Sequence, residues 1–255
     1  MSSPTPRTAL DNRLLAALPR VALERLLPDL ELKPLEMRQV VQPRRKPIRD
    51  VIFPVSGVAS MISMGGSEDS VEVATIGCEG IVGISHFLGG TSAAVEIFIQ
   101  VPGEGLYLSA DAFENHVERE PAFLRTLLLY TQALLTQVAQ SSACNRHHPV
   151  EQRCARWLLQ THDRVGGDEF PLTQEFLGLM LGVRRASVTD TAAILQQRGL
   201  ISYRRGRITV VNRGGLEKAS CDCYALIAGE FDRLLPPPRK TVRRGARLSG
   251  GASHP

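Results

Sequence analysis

"LTQEFLGLMLGVRRASVTDTAAILQQRGLISYRRGRITVVN", residues 172–212, decides how the rest of the chain is read. Thr173 followed by QEFLGLML reads as a capped helix start and a short helix, stopped at Gly182. A second helix begins at Arg184 and Arg185, places Val188, Ala192 and Leu195 on one face, and stops at Gly199. Two cations at its front oppose the macrodipole, which prefers anions there. Helix, tight glycine turn and helix give helix-turn-helix spacing. "LISYRRGRITVVN" then reads as two β-branched strands around an arginine-rich tip, the plan of a winged helix. Arg184, Arg185, Ser187 and Thr189 are expected to face base edges in the major groove. Thr173, Gln174, Arg204, Arg205 and Arg207 are expected to reach the phosphates of double-stranded DNA. The opposed charges are then explained by anions outside the protein.

Charge placement supports this. The 255-residue chain carries a net charge of only +4, yet residues 184–213 hold seven arginines and a single acid, Asp190. The last twenty residues hold five further Lys/Arg and no acid, leaving about −1 for everything before them (+4 less 5). Their Pro, Gly and Ser content predicts a disordered basic tail over 236–255. A hydrophobic fraction of 43% allows a sizeable core. Neither a membrane-length apolar run nor a secretory leader is visible, so no membrane partner and a cytoplasmic location are expected.

Upstream the texture differs. Residues 1–10 read as a disordered start. From Lys33 to about Ala110, short apolar stretches such as "VIFPVSGVASMIS" and "VEIFIQV" alternate with turns at Gly57, Gly65–Gly66, Gly89–Gly90 and Pro102–Gly103. This predicts an all-β roll or barrel, assigned to 11–120. A long helix follows from about Pro121 to Asn145. Leu124, Thr131 and Val138 recur at seven residues, as do Leu127 with Leu134 and Leu128 with Leu135. At about 36 Å the stripe is too long for one small roll to cover. A second copy of the same helix is the natural partner, giving a homodimer. "NRHHP" ends this helix as a hinge closing the 121–148 segment, and 149–235 forms the DNA-binding domain. The fold class is α+β: jelly-roll-like sensor, dimer helix, winged helix-turn-helix.

Other chemistry finds little support. The five cysteines (Cys78, Cys144, Cys154, Cys221, Cys223) are scattered and odd in number. Cys221 and Cys223 stand too close for an ordinary zinc pair and lack a second pair, so free thiols and no metal are expected. His147 and His148 read as solvent-facing hinge residues, and His86 as structural. No cofactor is expected. Glu68, Asp69, Glu72, Glu79 and Glu96 form no recognisable catalytic spacing, which argues against an enzyme built on the roll.

Taken over residues 10–235, this order of parts resembles the Crp/Fnr family of bacterial transcription regulators. The resemblance is carried by residues 172–212, by "GCEGIVGISHFLGGTSA" (77–93), and by "CNRHHPVEQRCARWLL" (144–159) with "CDCYALI" (221–227). It implies an eight-stranded roll, a dimer on an inverted-repeat operator, contact with RNA polymerase, and a small-molecule effector in the roll. Its phosphate-binding loop corresponds to Gly80, Ile81, Gly83, Thr91 and Ser92. Gly80 and Gly83 match the family glycines. Ile81 replaces the ribose-binding glutamate, and Thr91 replaces the phosphate-binding arginine, removing a bidentate contact to an anion. The pocket is left to another small molecule or to a packed core. No cysteine precedes Cys78, against an iron–sulfur sensor. Arg185 matches the family's guanine-contacting arginine, while Ala186 and Asp190 replace its usual glutamate and second arginine, so a different base preference is implied.

Overall fold

Asn12 organises the start of the chain. In the computed structural model, which describes residues 5–64 and 70–235, three short helices come first: α1 (Pro6–Ala9), α2 (Arg13–Ala16) and α3 (Arg20–Leu26). The Asn12 side chain accepts from the N–H groups of Leu14 and Leu15 and donates to the carbonyls of Pro54 and Gly80. The expectation of disorder over residues 1–10 is therefore corrected from residue 5 onward. Thr5 caps α1, and Ala9 is buried because Asn12 pins the segment to the sheet behind it. Residues 1–4 lie outside the described residues, as do Gly65, Gly66, Glu68, Asp69 and the tail 236–255.

The roll contains β1 (Glu31–Leu35), β2 (Val40–Gln42), β3 (Asp50–Pro54), β4 (Val58–Met64), β5 (Ser70–Ile76), β6 (Glu96–Val101) and β7 (Gly103–Ser109). A short helix, α4 (Ile84–Phe87), separates β5 from β6. The strands pair antiparallel in two sheets, ordered β1-β7-β3 and β2-β6-β4-β5. Among the described residues there are thus seven strands, against the eight implied by the family resemblance. Gly57, at φ 82, turns the chain between β3 and β4, and a Cβ there would meet the Val101 carbonyl at 2.7 Å.

The near-complete burial of β4 has a physical reason. Ala59 and Met61 join the roll core, whereas Val58 and Ile62 join a second cluster around Trp157 and Leu158. Both faces of the strand are covered, so its buried polar residue, Ser60, needs a partner and donates to the Gln100 side chain at 2.6 Å.

After α5 (Ala110–Arg119), helix α6 (Pro121–His147) runs for 27 residues, about 40 Å. Its heptad residues divide. Leu127 and Leu134 are buried in the chain's own core, which corrects their assignment to a dimer seam: they face the roll, and Tyr130 lies between them. Leu124, Leu128 and Leu135 are exposed at 40%, 54% and 67%, while Thr131 and Val138 are half-buried. The 27-residue helix therefore has a committed face and an uncovered apolar face.

Helix α7 (Val150–Arg164) is the junction. Residues from Arg153 to Thr161 are all buried, more than an amphipathic pattern suggests, because α7 is packed from both sides. The indole N–H of Trp157 donates to Glu72 on β5 at 2.8 Å, and Gln100 on β6 donates to Thr161 at 3.1 Å. Arg164 pairs with Glu79 at 2.7 Å, each side chain only 8% exposed. The remaining elements are β8 (Glu169–Pro171), α8 (Gln174–Leu181), α9 (Arg185–Gln197), β9 (Ile201–Arg204), β10 (Arg207–Val210), α10 (Arg213–Ala219) and α11 (Cys223–Leu234). Helix α11 returns to α6, placing Ile227 and Phe231 in the roll core with the Phe231 ring 6.4 Å from that of Tyr130.

Burial pushes the Glu72 carboxyl up to about 7, against the lowering effect of Ser60, Arg156 and Trp157. The folded state therefore binds a proton that the unfolded state has released. This contribution is fully present below about pH 4.5 and is lost as pH rises through about 7. Glu72→Gln keeps an acceptor for Trp157 and stays neutral. Urea unfolding at about pH 5 and about pH 8 should show wild type losing roughly 3 kcal/mol relative to Glu72→Gln. Parallel pH profiles for the two proteins would refute the protonated carboxyl.

Candidate nucleic-acid interface

Helix α8 begins at Thr173, whose hydroxyl accepts from the Phe176 N–H at 3.2 Å. It ends at Gly182, in the left-handed region at φ 60. The following N–H of Val183 donates to the Gly178 carbonyl at 3.0 Å, and a Cβ on Gly178 would touch the Val183 carbonyl at the same 3.0 Å. The turn is consequently short, and α9 starts three residues later. Arg184 occupies its N-cap in extended conformation without a side-chain cap. The first-turn N–H groups of α9 thus lack a side-chain partner beside two exposed guanidiniums. Gly199, at φ 67, closes the helix.

Strands β9 and β10 pair Arg204 with Arg207, and β8 joins the other edge of β10. Arg205 at φ 49 and Gly206 at φ 73 form the two-residue tip, both in the left-handed region that a type I′ turn requires. This holds Arg204 and Arg205 out into solvent.

The seven arginines between 184 and 213 do not do one job. Arg198 pairs with Glu151, Arg207 with Glu169, and Arg213 with Asp163 and Glu217. Arg184, Arg185, Arg204 and Arg205 are exposed and make no ion pair among the described residues. The free positive charge is therefore concentrated at the start of α9 and the hairpin tip. Arg207, expected on phosphates, is already partly neutralised by Glu169.

Of the other expected contacts, Thr173 is exposed and Ser187 half-buried. Thr189 is exposed, with its hydroxyl 3.0 Å from the Gln174 side-chain oxygen, so it ties α9 to α8 as well as facing outward. Tyr203 went unnoticed in the sequence. Its N–H donates to the Gln196 side chain at 2.8 Å, and its phenol, raised by burial, lies near Gln174 and Arg185. The aromatic in an otherwise arginine-rich hairpin was the available signal.

The helix-turn-helix also leans on the roll. The Phe98 and Phe176 rings meet edge-on at 5.7 Å. Beside them is a cleft of about 1110 Å³ whose walls include Arg38, Glu96, Glu175, Arg153 and Arg184.

The effector-loop residues are in different surroundings. Gly80 and Ile81 are buried under Tyr130, whose hydroxyl donates to the Ile81 carbonyl at 3.3 Å, and a Cβ on Gly80 would strike that hydroxyl at 2.6 Å. Gly83, at φ 101, is packed against Val51. Thr91 and Ser92 are exposed, with their backbone held by Ile48 and Pro47. His86 faces Glu114 at 3.0 Å.

The cysteines divide too. Burial pushes the Cys78 thiol up to about 11 and the Cys154 thiol up to about 12, which disfavours the reactive thiolate at both. Cys144, Cys221 and Cys223 are instead gathered with His148, their ligand atoms all within 4.8 Å of one another. This corrects two expectations. His148 is half-buried rather than a solvent-facing hinge residue, and the closely spaced Cys221 and Cys223 do gain partners, from the end of α6.

Residues 152–219 match the family described as a Crp-like helix-turn-helix domain. No curated protein matches the chain. Among solved structures, FixK2 from Bradyrhizobium japonicum is similar over 75% of this chain and 98% of its own, at 15% identity and a TM-score of 0.65. CLP of Xanthomonas campestris, a c-di-GMP responsive global regulator, is similar over 75% and 99%, at 17% identity and a TM-score of 0.60. A CRP/FNR-family transcriptional regulator from Thermus thermophilus is similar over 74% and 98%, at 16% identity and a TM-score of 0.59. The likeness to these three is one of fold. No helix among the described residues is long and apolar enough to cross a membrane.

Proposed function

From a chain with the Crp/Fnr regulator fold and a Crp-like helix-turn-helix domain at residues 152–219, we propose a dimeric, sequence-specific regulator of transcription. The observation that carries this reading is the set of exposed arginines without an ion pair among the described residues, at the start of α9 and at the hairpin tip. Arg184 and Arg185 enter the major groove with Ser187 and Thr189. Arg204 and Arg205 hold the flanking phosphates, with Thr173, Gln174 and the partly neutralised Arg207. The exposed apolar face of α6, carried by Leu124, Leu128 and Leu135 and continued by Thr131, supports a seam with a second copy. RNA polymerase is the proposed protein partner at the promoter.

The roll is proposed to work without a cyclic nucleotide at the Gly80–Gly83 loop. Tyr130 fills the space over Gly80 and Ile81, and neither Ile81 nor Thr91 supplies the charge that a cyclic phosphate or ribose would need. This favours a regulator whose roll is a packed support, or one served by a different small molecule.

Selection on random DNA should return inverted repeats with half-site centres roughly 10 base pairs apart. On such a site, Arg185→Ala should cost about 1–3 kcal/mol and relax one base pair per half-site. Arg205→Ala should weaken all sequences alike and reduce the salt slope by about one. Equal losses on specific and random DNA for both variants would overturn the division of labour.

Sedimentation separates the two faces of α6. Leu135→Glu should give a folded monomer with poor operator affinity. Leu127→Ala should keep the dimer but lower stability by about 2–5 kcal/mol, as a core truncation does. A dimer unaffected by Leu135→Glu would place the interface elsewhere.

A ligand held at about 100 times its dissociation constant stabilises a fold by roughly 2.7 kcal/mol. Millimolar cyclic AMP or cyclic GMP should instead leave the melting temperature and operator affinity unchanged. A melting shift with tighter DNA binding would restore the cyclic-nucleotide effector.

A further inference from the structure

Cys144 lies in the last turn of α6 and His148 is its C-cap, the His148 N–H donating to the Cys144 carbonyl at 3.1 Å. Cys221 and Cys223 flank the start of α11, where the Tyr224 N–H donates to the Cys221 carbonyl at 3.1 Å. That tight turn brings both thiols to one side while Asp222 stays exposed. Across the junction, the Cys144 and Cys221 sulfurs are 3.5 Å apart, as are the Cys223 sulfur and Nδ1 of His148. The three cysteines are all buried and form a cluster separate from both hydrophobic cores.

A metal ion bound at about 2.3 Å from sulfur and about 2.0–2.1 Å from nitrogen makes a tetrahedron whose edges are roughly 3.5–3.8 Å. The two observed separations of 3.5 Å match such edges. We infer that Cys144, His148, Cys221 and Cys223 form a mononuclear, tetrahedral Cys3His site for a divalent borderline-soft metal, zinc by its donor set. Four protein ligands close the coordination sphere, which makes the site structural rather than catalytic. An iron–sulfur cluster divides its thiolates among several irons and needs a wider ligand spread.

The surroundings fit a site with three thiolates and one dication, net −1. Gln140 donates from its side chain to the Cys223 sulfur at 3.1 Å. The Arg156 guanidinium lies beside Cys144, and Arg153 lies close enough to feel both Cys144 and Cys221. The Nε of each arginine is buried without a partner among the described residues. Outer-shell donors and cations of this kind orient thiolate ligands and balance their charge. A disulfide between Cys144 and Cys221 would use two of the four groups and leave Cys223 and His148 unexplained.

The site joins the end of α6 to the start of α11 across the hinge that precedes α7. Its loading therefore fixes the point about which the DNA-binding domain would pivot, and metal, being bound by the folded chain, stabilises it.

The full chain, purified in reducing buffer, is assayed for zinc, then stripped with chelator and titrated with Co2+, which reports tetrahedral thiolate ligation through its visible and near-ultraviolet bands. About one zinc per chain and one equivalent of Co2+ with thiolate charge-transfer bands, displaced by zinc, are expected. Cys144→Ser and Cys223→Ser should weaken Co2+ binding by more than the about 10–100-fold that loss of an outer-shell partner costs. His148→Cys should retain binding with a spectrum shifted toward four thiolates, and Cys154→Ser should behave as wild type. Circular dichroism of each variant separates lost ligation from lost folding, and the stripped wild type supplies the same comparison without mutation. The inference is overturned by substoichiometric metal in reduced wild type, by a Cys144–Cys221 disulfide in the protein as purified, or by a Co2+ spectrum indifferent to Cys144→Ser. None of these readouts uses DNA, so failure here and failure of the DNA-binding reading are told apart.

Discussion

Trp157 has one hydrogen-bond donor and is fully buried, so the whole molecule must supply an acceptor for it. That acceptor is Glu72, from a strand of the roll. Burying an indole without such a partner would cost the desolvation of its N–H, and burying a carboxylate would cost far more. Burial pushes the Glu72 carboxyl up to about 7, which lessens the second cost, and Gln100 with Thr161 and Glu79 with Arg164 extend the same polar seam. Around it, Val58, Ile62 and Val101 of the roll share one apolar cluster with Leu158, Met180 and Leu195 of the helix-turn-helix domain. The roll and the helix-turn-helix domain are thereby packed as neighbours, through α7, rather than strung on a linker.

Helix α6 is arranged around the same economy of surface. One face completes the roll core with Phe123, Leu127, Tyr130 and Leu134, and Tyr130 also closes the space above Gly80. The opposite face remains apolar and uncovered. A single 27-residue helix thus serves as lid to its own domain and as the proposed seam to a second copy. At its far end it presents Cys144 and His148 to the segment that begins α11, so the hinge is held from two sides in sequence.

The arginine surface follows from which acids the fold brings near. Glu151, Asp163 and Glu169 come from α7 and β8, and each neutralises an arginine that the local sequence alone would count as free. What is left unpaired projects from the two places where the backbone itself is turned outward: the uncapped start of α9 and the type I′ tip of the hairpin. In a helix-turn-helix domain, such residual charge is what can meet a phosphate backbone.

Local chemistry alone determined much of this protein. The Thr173 cap, the stops at Gly182 and Gly199, the hairpin around Arg205 and Gly206, and the apolar strand after Gly57 were legible because each depends on residues within a few positions of one another. The order of roll, long helix and helix-turn-helix was legible for the same reason. Tertiary structure decided what depends on partners far along the chain. Leu127 and Leu135 have the same heptad character, yet only the roll's position buries the first and exposes the second. Residues 5–10 read as loose because nothing nearby shows that Asn12 bonds to Pro54 and Gly80. Cys221 and Cys223 looked solitary because their partners, Cys144 and His148, lie 77 and 75 residues earlier. Periodicity and capping are short-range and written in order; charge pairing, burial and ligand sets are set by the path of the folded chain, which no local pattern encodes.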